Sequence, residues 1–500
     1  MSTMPPQFPL EIRSALRWAS STVSFFRPVT TVAPPSFRHR TSLFPPPRCC
    51  FSSSSVKLPT KPSLCTADEL HYVSVPNSDW RLALWRYLPP PQAPTRNHPL
   101  LLLSGVGTNA IGYDLSPGCS FARHMSTQGF ETWILEVRGA GLSTRVSDLK
   151  DVEDSAHQLS NQMESTARAA ADDTQLYERF NDIRSKLLSL IESKQNSGLV
   201  SQIRELAQRL VNLFDDGQKS VSPPLIDLQE RLTTTIEDFQ KQLDLIVKYD
   251  WDFDHYLEED VPAAIEYVRA QCKPKDDKLF AIGHSMGGIL LYAMLSRCAF
   301  EGREPSVAAV ATLASSVDYT TSDSALKLLI PLANPAEALS VPVVPLGALL
   351  AAAFPLSTRP PYVLSWLNDL ISSTDMMHPE MLEKLVLNNF CTIPAKLLIQ
   401  LTTAFREGGL RDRSGKFYYK DHLPGTSVPV LALAGDRDLI CPPAAVEDTV
   451  KLFSENLVTY KLLGEPEGPH YAHYDLVGGR LAVEQVYPCI TEFLSHHDFA

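Results

Sequence analysis

The sequence has no CxxC pair and no zinc-ligand spacing. Its nine cysteines are scattered through 500 residues and only Cys49 and Cys50 lie close together. Neither a zinc module nor a disulfide scaffold is encoded, and reduced thiols without a metal are expected. Outside the N-terminus the chain also lacks any Lys/Arg cluster that could follow a phosphate backbone, and its formal net charge is -12, which argues against nucleic acid as a partner. Acidic residues are in turn scarce in residues 1–66: Glu11 stands alone against eight basic residues, among many serines, threonines and prolines. Such a stretch cannot bury a core. Arg-rich, Ser-rich and acid-poor composition describes an organelle transit peptide, and the apolar h-region of a secretory signal is missing. The Ser/Pro richness suits a plastid better than a mitochondrion; the alternative is a plain disordered tail. Without residues 1–66 the body carries about -19 by the same counting, which fits a soluble organelle enzyme.

A long uninterrupted hydrophobic run is lacking too. Residues 328–356 are very apolar, yet Pro331, Pro335, Pro342, Pro345 and Pro355 exclude a straight membrane span. What is present is ordinary globular composition, 44% hydrophobic and 20% charged, enough for a sizeable core. A strand-like stretch at 71–88 is followed by a Pro-rich loop at 89–99 and the apolar run Leu100–Leu103. The pattern then predicts a helix over 120–128 closed by Gly129 and a strand over 131–137. Further on it predicts a helix over 261–270, a strand over 278–282, a helix over 287–298, and strands over 307–313 and 428–434. Strand, helix and strand imply an α/β fold with a mostly parallel sheet, whose carboxyl-end loops gather the site.

Two inserts interrupt that repeat. In residues 147–248, Leu and Ile recur at three and four spacing with charges between, which predicts three amphipathic helices. A helical hairpin bound to the main domain is one reading, and a partner-binding arm is another. Residues 317–425 read as a cap: either a hydrophobic lid over an apolar substrate pocket, with peripheral membrane contact through its apolar stretch, or a cap that packs on the sheet. The core is thus expected in three pieces, 67–146, 249–316 and 426–500.

Chemistry is concentrated at Gly283-His284-Ser285-Met286-Gly287, a GxSxG pattern placed after a strand and before a helix. The turn lifts the Ser285 hydroxyl above the sheet, and small residues are needed two positions either side to avoid collision. A serine hydroxyl needs a base in reach and an acid to orient that base. Gly435-Asp436-Arg437-Asp438 follows a later strand, and Gly468-Pro469-His470-Tyr471-Ala472-His473 lies downstream, in the chain order Ser, acid, His. Asp438 is assigned as the acid, with Asp436 as a cap or a partner of Arg437. His473 is assigned as the base, ahead of His470, a polar loop residue bonded to backbone. His284, His378 and His422 are expected at the surface or in packing. Two backbone donors are needed for a tetrahedral intermediate: Met286, after the serine, and Val106 in the Ser104-Gly105-Val106-Gly107 loop. This chemistry needs no cofactor.

At these residues the chain resembles the α/β-hydrolase superfamily, and within it the acid-lipase-like branch, over residues 99–494 apart from the first insert. Leu102-Leu103-Ser104-Gly105-Val106-Gly107-Thr108-Asn109 is similar to that branch's oxyanion loop. Gly129 to Ser143, with Trp133, Glu136 and Arg138-Gly139-Ala140-Gly141, is similar to its next strand and turn. Trp251-Asp252-Phe253-Asp254 resembles its following helix start, and His473-Tyr474-Asp475-Leu476-Val477 its histidine block, which supports His473 over His470. Ser104 replaces the usual histidine before the oxyanion glycine, and the helical insert after Ser143 is a departure that leaves substrate class open. The resemblance implies an α/β-hydrolase fold in a plant, plastid-targeted lipase-like enzyme that cleaves carboxylic esters of apolar or lipid substrates through an acyl-enzyme on Ser285. An acyltransferase would use the same residues, and a ligand-binding or scaffold protein could retain the fold without turnover.

Overall fold

The computed structural model describes residues 64–116, 118, 120–145, 245, 248–327, 342–360, 362 and 364–499. The leader up to residue 63, nearly all of the 147–248 insert and residues 328–341 lie outside them. The architecture follows from alternating apolar runs and helices. Strands β1 (Glu69–Ser74) and β2 (Trp80–Tyr87) form an antiparallel hairpin. They are followed by β3 (Leu100–Leu103), β4 (Thr132–Glu136), the short β5 (Thr144–Arg145), β6 (Leu279–His284), β7 (Val307–Leu313), β10 (Val430–Gly435) and β11 (Val458–Leu463). The sheet order is β1-β2-β4-β3-β6-β7-β10-β11, with β5 beside β2. From β4 to β11 every pairing is parallel. The central strands β3, β6 and β10 are buried along their whole length, as near-continuous apolar runs covered on both faces require.

Helix α1 (Phe121–Thr127) starts where the Ser120 hydroxyl accepts from Arg123 N and stops at Gly129, whose φ of +93° only glycine adopts freely. Helix α2 (Val261–Cys272) carries proline in its first turn, and α3 (Met286–Glu301) ends at left-handed Gly302. Two features differ from the sequence reading. The 71–88 stretch is a hairpin, because Pro76-Asn77-Ser78-Asp79 makes a turn with Asn77 at φ +58° and Val75 N donating to Trp80 O. Strand β11 escaped detection because Lys461 and exposed Leu462 blur its pattern, as befits an edge.

The leader boundary also shifts. Cys65 and Ala67 are buried, the Thr66 N–H and hydroxyl both donate to Asp114, and Arg123 donates to Thr66 O. Cys65 and Thr66 therefore belong to the folded body rather than to the leader. In the cap segment, β8 (Val343–Pro345) pairs antiparallel with β9 (Thr392–Pro394), and α4 (Leu346–Thr358), α5 (Trp366–Ile371), α6 (Pro379–Asn388) and α7 (Ala395–Leu401) surround them. Pro355 sits in the last turn of α4. Among the described residues no helix is long and apolar enough to cross a membrane. The C-terminal end of the same segment packs on the core through buried Tyr419 and Leu423, and Phe417 meets the exposed Phe300 of α3 edge-on at 5.1 Å.

Candidate active site

Ser285 stands between β6 and α3 with φ +55° and ψ -121°, a strained conformation for a non-glycine residue. The turn is held because Ser285 N donates to Leu313 O at 2.9 Å and Ser315 donates to Ser285 O at 2.8 Å. Glycine is obligatory on either side. A Cβ at Gly283 would lie 2.3 Å from the Gly287 carbonyl carbon, and one at Gly287 would lie 2.0 Å from Leu103 O. The sharp turn and the tight helix–strand approach together leave Ser285 partly exposed at the carboxyl edge of the sheet.

Strand β10 ends two strands away from β6, and its turn delivers Asp438 to the same edge. One Asp438 carboxylate oxygen accepts from Ile440 N and Cys441 N, both at 2.8 Å. The other faces His473 Nδ1 at 2.8 Å, and both side chains are almost fully buried. Fixing Nδ1–H on a carboxylate leaves Nε2 as the free, basic nitrogen. Asp436 is taken by a different partner than expected. It lies 2.5 Å from His470 Nδ1 and accepts from Tyr471 N, while Arg437 is 3.9 Å away. His470 is accordingly bound to a carboxylate rather than to backbone. The two neighbouring aspartates thus take one histidine each, and the buried pair is Asp438 with His473. No hydrogen bond joins the Ser285 hydroxyl to His473 among the described residues.

Val106 and Met286 lie where the sequence places them. Met286 opens α3 and is buried, Val106 is half-buried, and neither backbone N–H donates to a carbonyl among the described residues. A Cβ at Gly105 would sit 3.3 Å from Ser285 Cβ, so the loop runs directly alongside the serine. Two unspent backbone donors beside a serine and a carboxylate-oriented imidazole form an arrangement suited to acyl transfer. Among the described residues no group of three His, Cys, Asp or Glu side chains could hold a metal ion.

Several residues escaped the sequence reading. His284 was expected in a surface or packing role, and it is fully buried with a specific bond: Nε2 lies 2.9 Å from His473 O, which requires that nitrogen to carry the proton. Burial, and then neighbouring His473, push the His284 imidazole down to about 3, so it stays neutral. Its ring lies 4.7 Å from those of both His473 and Tyr474. Asp475 is also buried, accepting from Ala472 N, Ser373 N and the Ser372 hydroxyl. Burial pushes its carboxyl up to about 6. Asn389, at the end of α6, accepts from Gly112 N through its side chain and from Asn109 N through its carbonyl, and donates to the Tyr474 hydroxyl at 3.1 Å. The histidine block hinted at Asp475, whereas nothing near Asn389 in sequence marks it, because its partners are 85 and 277 positions away.

A mostly parallel sheet flanked by helices, with a strained serine between strand and helix at its carboxyl edge, is the architecture of the α/β hydrolases. The family model described as alpha/beta hydrolase fold matches residues 98–475, a span that includes Ser285, Asp438 and His473, and the chain belongs to that family. Curated proteins offer no matching sequence. Among solved structures, a bacterial membrane phospholipase A is similar to it, with 15% identity, 86% of this chain and 87% of that one covered, and a TM-score of 0.43. So is a soluble variant of monoglyceride lipase from Saccharomyces cerevisiae, at 13% identity, 88% and 99% coverage and a TM-score of 0.42. The monoacylglycerol lipase of Paleococcus ferrophilus gives 11%, 83%, 99% and 0.41 in the same order.

Proposed function

We propose that the protein is a serine hydrolase that cleaves carboxylic esters of an apolar, lipid-like substrate through an acyl-enzyme on Ser285, in keeping with the acid-lipase-like branch of the family. The observation that carries the reading is the buried Asp438–His473 pair at 2.8 Å on the sheet edge that bears strained Ser285. His473 takes the serine proton as Ser285 Oγ adds to the ester carbonyl, and returns it to the alcohol oxygen as the C–O bond breaks. Asp438 holds the imidazole tautomer, and the Val106 and Met286 amides stabilise the oxyanion. Water, activated by His473, then releases the acid.

Support for an apolar substrate comes from the cap. Helix α4 has no charged residue and exposes Leu349 and Leu356, and Leu346 in its first turn reaches the oxyanion loop at Gly107. That exposed apolar face is proposed to rest on lipid surfaces; flotation with phosphatidylcholine vesicles tests it, and a Leu349→Asp/Leu356→Asp variant that floats as well as wild type would remove the idea. The leader ahead of Cys65 is proposed to direct the chain to plastids, and a reporter fused to residues 1–64 that stays diffuse in the cytosol would defeat that address. The central experiment is labelling of protein beginning at residue 64 with a fluorophosphonate probe, alongside Ser285→Ala and His473→Ala. Wild type is expected to label and both variants to remain blank. A folded wild type that does not label argues against an activated serine.

A further inference from the structure

If Val106 supplies an oxyanion donor, something must fix the orientation of its peptide, because the loop has glycine at both 105 and 107 and Gly107 is left-handed at φ +60°. Thr108 does this in the structure. Its hydroxyl donates to the Gly105 carbonyl at 2.9 Å, and its own N–H donates to the same oxygen at 3.3 Å. That carbonyl belongs to the peptide unit whose N–H is Val106. A trans peptide points its C=O and N–H in opposite directions, so anchoring one end aims the other. Donation to the carbonyl also polarises the peptide and strengthens its N–H as a donor.

Thr108 is itself buried and braced. Its backbone pairs with Phe390 of the cap, and Cys391 N donates to Gly107 O at 2.7 Å. Next to it, Asn109 N donates to Asn389 O at 3.0 Å, and Asn389 Nδ2 donates to the hydroxyl of Tyr474, next in sequence to His473, at 3.1 Å. The oxyanion loop is therefore linked through Asn389 to the loop that bears His473.

We propose that Thr108 is a positioning residue for ester cleavage: its hydroxyl holds the Gly105 carbonyl so that the Val106 N–H of the same peptide points at the developing oxyanion. The inference rests on the serine-hydrolase reading above and adds to it a side chain that does not touch substrate.

Thr108→Val keeps shape and removes the hydroxyl, while Thr108→Ser keeps the hydroxyl. With a p-nitrophenyl ester of medium chain length, Thr108→Val is expected to lower kcat about 10- to 100-fold with KM changed less than about threefold, since the lost alignment matters in the transition state. Affinity for a trifluoromethyl ketone, whose serine adduct places an oxyanion in the same hole, is expected to fall by about the same factor. Thr108→Ser is expected to restore both to within about threefold of wild type. Melting curves accompany each variant, and Thr108→Ala is expected to show the same kinetic loss should the valine variant not fold. Wild-type kcat and inhibitor affinity in Thr108→Val, or equal impairment in Thr108→Ser, would overturn the inference. A wild-type protein inert to both ester and ketone would instead overturn the serine-hydrolase reading, and the inference with it.

Discussion

Replacing Asp475 by asparagine is expected to stabilise the protein at neutral pH. The carboxyl accepts from two backbone N–H groups on one oxygen, Ala472 N at 2.8 Å and Ser373 N at 2.7 Å, while the Ser372 hydroxyl donates to the other at 2.5 Å. An asparagine with its carbonyl in the first position keeps both backbone bonds, and its amide can donate to Ser372, which has Ser373 O as a second acceptor. What changes is charge. Burial lifts the Asp475 carboxyl from 3.8 to about 6, so the folded protein holds that proton more tightly than the unfolded chain does. Between those values the folded state binds more protons, and stability falls as pH rises through the window; above about pH 6 the full penalty on the charged form is present. A displacement of that size corresponds to roughly 3 kcal/mol. Asp475→Asn is thus expected to be more stable than wild type by about 3 kcal/mol at pH 7.5, with the gap narrowing to about half at pH 5. Urea unfolding of both proteins at pH 5, 6, 7 and 8 reads this directly. An Asn variant less stable than wild type at pH 7.5, or a gap that does not shrink on acidification, would refute the reasoning.

Three further outcomes are expected. Asp438→Asn is expected to lower kcat about 10⁴-fold without unfolding, by releasing the imidazole tautomer, whereas Asp436→Asn is expected to change kcat by less than about tenfold; steady-state kinetics of the two decides which aspartate serves His473. Gly287→Ala places a Cβ 2.0 Å from Leu103 O and is expected to destabilise by more than about 3 kcal/mol, and a melting temperature within a degree or two of wild type would contradict the packing at the turn. Protein beginning at residue 64 is expected to melt like a longer form, while protein beginning at residue 67 loses the Thr66 bonds to Asp114 and is expected to be about 2–3 kcal/mol weaker, which calorimetry of the two truncations checks.

Much of this was legible in the sequence where the signal is local. Gly283-His284-Ser285-Met286-Gly287 announces its turn because the steric demand falls within five consecutive residues, and Leu100–Leu103 announces a buried strand by having no polar face. Order along the chain was enough to set Asp438 and His473 at one edge, since both follow the parallel-sheet rhythm. Sequence could not reveal that Asp436 would take His470, because the choice between two aspartates is made by loop packing some 34 residues apart. Nor could it reveal His284 or Asn389, whose importance lies in bonds to backbone atoms of distant loops. The leader boundary failed for a related reason: Cys65-Thr66-Ala67 has the composition of the leader and is recruited into the core by Asp114 and Arg123.

The bonds from the cap to both reactive loops divide its labour. The 371–391 stretch is stitched to the histidine loop through Ile371, Ser372 and Ser373 and to the oxyanion loop through Asn389 and Cys391. That stretch behaves as frame rather than as door. Outboard of it, α4 makes no hydrogen bond to Ser285, Asp438 or His473 among the described residues, so its apolar face can change without loosening the Asp438–His473 pair. A change at exposed Leu349 or Leu356 touches none of those bonds, whereas a change at Asn389 removes the link between the two loops.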